Sequence, residues 1–416
     1  MSIDSDPYPV VMSGSTRKIL GLNMNLWRLA LVTGLAQFAM SLWAWEFSLF
    51  LELDVGLVKW QIGAALSIGT LANILGYMAS GIIADFVGRK NTMALSFIPM
   101  TIGLFGMWLN PIWPFVTIEY AITQFGWASV LVVTAAIPAD EIHAEGGKNS
   151  ARTFATVLLP AFVVDGLSPM IGGLMLENGY TPSHLHIIAS IGSILALVAT
   201  FAFVRESLGD DVIKKAKEGS VIAFRGLGGD FWKFTLAMVC FVFFLRSAVP
   251  YQGNLVVDDW GLTESQFGYA WAFFSFGSAI LLYVAGSLAD RNVKAAQIVA
   301  LLGNSIIMIA FSMFQGFWVL VFLNAAWAFP IALWIGAENT IVSKTVTKEK
   351  KGRALGTYRY AASTAGFFAY SFGAMIWETS NSLAFLFYLA GVGSLFAIFV
   401  MVIALRSIRL PEVYKS

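Results

Sequence analysis

The sequence predicts an all-α membrane protein of twelve transmembrane helices, arranged as two pseudo-symmetric six-helix bundles. Three observations predict this. First, the 416 residues are 58% hydrophobic and only 12% charged, whereas a soluble domain is nearer a quarter charged. Second, apolar runs long enough to cross a bilayer as helices recur along the whole chain. Third, the chain repeats itself. Residues 54–85 align without a gap on 259–290, and nine of the 32 positions match, among them Asp54/Asp259, Gly56/Gly261, Gln61/Gln266, Gly63/Gly268, Gly81/Gly286 and Asp85/Asp290. Further on, a shift of 201 pairs Arg152 with Arg353 and Gly172 with Gly373.

Taken in order, the spans are expected at roughly 26–52, 60–83, 91–109, 113–138, 152–177, 184–204, 232–257, 265–288, 296–314, 317–343, 354–377 and 383–405. The connections are short except for 205–231, which carries Asp210-Asp211, Lys214-Lys215 and Gly226 to Gly229. That segment reads as a cytoplasmic linker between an N-terminal bundle (26–204) and a C-terminal bundle (232–405). A cytoplasmic segment (1–25) precedes them and a tail (406–416) follows. With the N-terminus inside, 23 of the 26 Lys and Arg fall at the cytoplasmic side, only Lys59 falls outside, and Arg246 and Arg359 lie within spans. The positive-inside rule then puts both termini in the cytoplasm. Residues 1–24 are polar and lack a signal-peptide pattern, so the first helix is expected to serve as the insertion signal. The expected setting is the plasma membrane, with the lipid bilayer as partner and the chain a monomer.

Other classes fall away. The net charge of +1 gives no hint of nucleic-acid binding. The single Cys240 excludes an internal disulfide and a multi-cysteine metal site. His143, His184 and His186 are too few and scattered for a metal centre, so no metal and no cofactor is expected. No Walker-type Gly-x-x-x-x-Gly-Lys-Ser/Thr occurs, and no nucleophile–base constellation emerges. The chain is therefore expected not to be an enzyme.

The stretch Gly81-Ile-Ile-Ala-Asp85-Phe-Val-Gly88-Arg89-Lys90 is a polar hinge between two apolar runs. It resembles the signature loop of the major facilitator superfamily, Gly-x-x-x-Asp-x-x-Gly-Arg-Lys/Arg, with every fixed position present. The second half carries a reduced form, Gly286-Ser-Leu-Ala-Asp290-Arg291. Glu119 to Gly126 resembles the family's Arg-x-x-x-x-Gln-Gly stretch, with Glu119 in place of Arg and one residue inserted. Gly166-Leu-Ser168-Pro169-Met-Ile-Gly172-Gly173 resembles its antiporter motif, with Ser168 in place of Gly. The resemblance spans the chain. It implies a secondary transporter with a midplane cavity between the halves, worked by their rocking.

Ionisable residues inside spans are the candidates for transport, because each is costly there. Glu46, with Trp43 and Phe50 on its face, could exchange a proton, hold a cationic group, or sit solvated at the outer interface. Arg246 cannot shed its proton. It needs an anionic substrate, or a structural partner in Asp165 or Glu46. Pro250 and the polar run behind Arg246 suit a discontinuous helix. The resemblance implies cavity-lining first helices in each repeat, which makes Tyr251 and Asn254 candidate substrate contacts. Asp165 is a second proton candidate, or half of an ion pair. Glu338 and Arg359 are expected to pair near the cytoplasmic face. With Asp85, Arg89, Asp140, Arg152, Asp290 and Arg353 they would form a charge belt that closes the inner gate. The expected function is secondary active transport of a small organic solute, such as an organic anion, coupled to protons. The alternatives are a proton-antiport drug exporter, an ion-independent facilitator, or a non-transporting receptor or scaffold.

Overall fold

The structure is a computed structural model that describes residues 22–144, 150–207, 226–346 and 351–409. The N-terminal half contains α1 (Met24–Ser41), α2 (Phe47–Leu53), α3 (Lys59–Val87), α4 (Arg89–Leu109), α5 (Phe115–Ala144), α6 (Ser150–Glu177) and α7 (Pro182–Phe203). The C-terminal half contains α8 (Gly229–Ala248), an irregular helical extension to Asp259, α9 (Glu264–Arg291), α10 (Val293–Met313), α11 (Phe317–Lys344), α12 (Lys351–Ser380) and α13 (Leu383–Ser407). Since α1 and α2 form one broken span, these are twelve spans. Among the described residues, nine of them are apolar enough along a continuous helix to cross a bilayer on length and composition alone. The other three are the broken α1/α2, α9 and α12. The last two contact the opposite half, and a helix face that meets protein or water need not be uniformly apolar.

The two halves pack alike. Within the first, α3 pairs with α5, α4 with α5 and α7, and α1 with α6 and α7. Within the second, α9 pairs with α11, α10 with α11 and α13, and α8 with α12 and α13. Between halves, α3 meets α12 and α6 meets α9, two contacts that exchange under the internal two-fold.

The repeated residues sit where that symmetry needs them. Gly56 and Gly261 both hold positive φ, 73° and 67°, in the turns before α3 and α9, where glycine costs least. Gln61 and Gln266 both cap a helix start. The backbone N–H of Val58 donates to Gln61 Oε1 at 3.1 Å, and that of Thr263 to Gln266 Oε1 at 2.9 Å. Gly63 faces Tyr370 and Ala374 on α12, while Gly268 faces the Pro169 carbonyl on α6, with no room for a Cβ. Gly172 lies against the Leu42 carbonyl, and Gly373 against the Ser247 carbonyl. Leu42 and Ser247 are themselves 205 residues apart, so the register of the repeat carries into both first spans.

The charge bias labels the end bearing Lys59 as outer and the end bearing Gly88 as inner. The halves are closed at the outer end. Lys59 Nζ donates to Asn381 Oδ1 at 2.6 Å, Ser67 Oγ to the Phe367 carbonyl at 2.7 Å, and Ser48 Oγ to Asn254 Oδ1 at 2.6 Å. Between described residues, every hydrogen bond that crosses from one half to the other lies at or outward of the level of Asp165 and Ser275.

Candidate functional site

Two charged centres lie about midway along the spans. The first is Asp165 on α6. Its Oδ1 accepts from Gln37 Nε2 at 2.8 Å and from Ser41 Oγ, both on α1. Its Oδ2 accepts from Ser275 Oγ on α9 of the other half at 2.7 Å. The carboxyl group is therefore hydrogen-bonded by neutral donors alone, and it bridges the halves. It makes no ion pair with an arginine among the described residues.

The second is Arg246 on α8. Its guanidinium lies against Gly366 of α12, where a Cβ would come within 2.6 Å of Nη1. The side chain is partly exposed. Among the described residues it has no carboxylate within 4.0 Å and no hydrogen bond. Glu338 on α11, Tyr358 on α12 and Tyr77 of the opposite half lie within its electrostatic reach. The expected partners Asp165 and Glu46 are both elsewhere.

The remaining candidates separate. The Glu338–Arg359 ion pair is absent from this structure. Glu338 Oε2 accepts from Tyr358 Oη at 2.6 Å, while Arg359 is exposed one residue further along α12, so its side chain leaves the helix on a different bearing. Trp43 is fully buried inside the first half, with its ring against Phe47, Tyr120 and His186. Tyr251 and Asn254 are likewise fully buried. Tyr251 Oη donates to the Tyr370 carbonyl at 2.7 Å, and Asn254 bonds Ser48 and Glu52. In this structure they form part of the outer closure and line no open cavity. Glu46 lies at the break between α1 and α2 with no exposure, and neither carboxyl oxygen has a partner.

At the inner end the polar hinge is shorter than the sequence suggests. Gly81 belongs to α3, which continues to Val87, and only Gly88 breaks the helix, at φ 90°. Arg89 Nε reaches Asp140 Oδ2 of α5 at 3.4 Å, and Ser207 Oγ donates to the same oxygen at 2.8 Å. Lys90 Nζ donates to the Phe201 carbonyl at 3.0 Å. The start of α4 is capped by Glu206, whose carboxylate accepts from the backbone N–H of Arg89 at 2.8 Å and of Lys90 at 3.1 Å, a favourable place for an anion. Sequence reasoning missed Glu206, which lies 117 residues away in what reads as linker. The side chains of Asp85, Arg152, Asp290 and Arg353 lie outside the described residues.

The Major Facilitator Superfamily profile matches residues 234–415. An enterobactin exporter, EntS, of Escherichia coli O1:K1 is 24% identical over 301 residues, 71% of this chain and 70% of that protein. The chain is thus similar to the major facilitator superfamily, by profile over its C-terminal half. Solved structures share its fold. A mutant of the nucleoside transporter NupG superposes with a TM-score of 0.80 at 12% identity, over 91% of this chain and 99% of that one. The human organic anion transporter MFSD10 superposes with a TM-score of 0.64 at 17% identity, over 90% and 99%. With its long apolar helices the protein is a multi-pass membrane protein similar to transporters. Its antiporter-like stretch has a packing role in this structure. Gly172 admits the broken turn after α1, Gly173 admits the start of α9, and Gly268 of α9 admits the Pro169 carbonyl, the close approach that small residues permit.

Proposed function

We propose that the protein carries a small organic anion across the plasma membrane by alternating access, coupled to protons, with both termini in the cytoplasm. Arg246 carries this reading. A permanently charged guanidinium at mid-span, partly accessible and without a carboxylate beside it, is expensive. An anionic solute would supply the missing counter-charge. Gly366 opposite gives the guanidinium itself room to lie against α12. Glu46 and Asp165 are the proton carriers. An isolated carboxylate at zero exposure costs far more than the neutral acid, which suits Glu46 to hold a proton. Asp165 touches both halves, so a change in its charge alters a contact that the halves must remake in each cycle.

Export is the favoured direction. The similar curated proteins are exporters, and the Gly166–Gly173 stretch resembles an antiporter motif. Reconstituted vesicles with an imposed pH gradient test the coupling. Glu46→Gln combined with Asp165→Asn is expected to abolish gradient-driven accumulation while solute exchange persists. Intact accumulation in that double variant contradicts the coupling, and wild-type flux insensitive to pH and voltage would make the protein a facilitator.

A further inference from the structure

The outer closure brings six carboxyl groups together and almost no positive charge. Glu46, Glu52 and Asp54 come from the first half, and Asp258, Asp259 and Glu264 from the second. The nearest cation is Lys59, which donates to Asn381 Oδ1 at 2.6 Å and lies 5.0 Å from the centre of the Trp377 ring. At the seam itself, Asn254 joins the halves. It accepts from Ser48 Oγ and donates through Nδ2 to Glu52 Oε2 at 2.6 Å. Behind Asn254 the chain leaves α8 through a π-helical turn, Leu255–Asp259. That turn sets the exposed Asp258 side chain beside Asn254 and against the Glu52 carboxyl. Two carboxylates cannot hydrogen-bond each other, since both only accept. A carboxylic acid and a carboxylate can.

We propose that Glu52 and Asp258 form a proton-binding site spanning the two halves, and that its proton closes the outer face. With the proton bound, an O–H of one carboxyl donates to the other, and the Ser48–Asn254–Glu52 chain is completed. When the proton leaves to the outer solution, two like charges face each other across the seam. The groups around the pair add to the repulsion. Asp259 lies beside both carboxyls, and Asp259 is itself held by the start of α13 at Leu383. Glu46, Asp54 and Glu264 face one another nearby. Among the described residues, Lys59 of α3 is the cation that opposes them. The Glu46 carboxyl on this side of the molecule is fully buried with no hydrogen-bond partner, a setting that costs a carboxylate more than a neutral acid. Low pH outside therefore favours the closed outer face, and high pH favours its opening. This deepens the transport reading, on which its place in the cycle rests.

The test needs no substrate. Spin labels at Tyr180→Cys and Phe314→Cys, exposed on outer loops of opposite halves, are introduced in a Cys240→Ser background, and the inter-label distance is measured against pH in lipid discs. A longer-distance population is expected to grow with pH, its ratio to the short one rising by up to about tenfold per pH unit for a single proton. Glu52→Gln and Asp258→Asn replace the shared proton by an amide donor. Each is expected to flatten the response and hold the short distance, whereas Glu119→Gln, in a crevice between α4 and α5, leaves it unchanged. A response of undiminished size in both seam variants, an equal loss in Glu119→Gln, or a wild type insensitive to pH overturns the proposal. A pH-dependent outer face in a protein that moves no organic anion would instead remove the transport reading and leave this one standing.

Discussion

The two halves share a backbone plan and differ in chemistry at equivalent points. The shift of 205 places Ser41 of α1 opposite Arg246 of α8, and the shift of 201 places Asp165 of α6 opposite Gly366 of α12. The Gly172–Leu42 and Gly373–Ser247 contacts fix that correspondence in space. In the first half a hydroxyl donates to a carboxylate. In the second a guanidinium lies against a glycine. One half holds a carboxylate that small donors and the opposite half satisfy, and the other holds a cation with Glu338 within electrostatic reach but no carboxylate within 4.0 Å among the described residues. Symmetric packing thus supplies the moving frame. Under the proposed function, Asp165 is the proton-bearing group on one side and Arg246 the anion anchor on the other.

The largest expected effect comes from making the halves alike. Gly366→Asp puts a carboxyl where the repeat already has Asp165, and it should pair with Arg246 and abolish anion binding. Arg246→Ala should weaken binding about 100-fold or more, in line with the loss of a desolvated charge partner. Equilibrium binding of a labelled anion measures both. Gly366→Ala is milder. The colliding atom is the far end of a flexible side chain, so the guanidinium shifts and affinity falls about tenfold, worth about 1.4 kcal/mol. On the first half, Asp165→Asn turns one acceptor into a donor among the donors Gln37, Ser41 and Ser275. It should cost about 1–3 kcal/mol of stability in a thermal melt and remove the pH dependence of transport while anion binding survives. The smallest effect belongs to Tyr358→Phe, which deletes the bond to Glu338 for about 1 kcal/mol. The freed Glu338 should turn toward Arg246, so anion affinity drops slightly.

The twelve spans and the Gly88–Arg89–Lys90 hinge were legible because each is written locally, in apolar run length and glycine position. The repeat was legible too, and the structure explains why those residues recur: Gly56 and Gly261 need positive φ, Gln61 and Gln266 cap helices, and Gly63 and Gly268 sit at helix crossings. Partners were not legible. Glu338 bonds Tyr358 rather than Arg359 because adjacent residues on a helix point about 100° apart, and only the packing of α11 on α12 decides which one faces it. Glu206 caps a helix far back in sequence, and Asn254 meets Glu52 only when the halves close. The break at Leu42–Glu46 carries no proline or glycine, so nothing local in the sequence marks it.

The central claim is that Arg246 anchors an anionic solute. The most direct test is thermal unfolding of the purified protein with organic anions, sugars, amino acids and lipophilic cations, in wild type and Arg246→Ala, since a ligand of the native state raises its stability by RT ln(1 + [L]/Kd). The account predicts stabilisation of the wild type by organic anions and none in the variant. Equal stabilisation of both proteins by the same anions, or stabilisation by lipophilic cations alone, would contradict it.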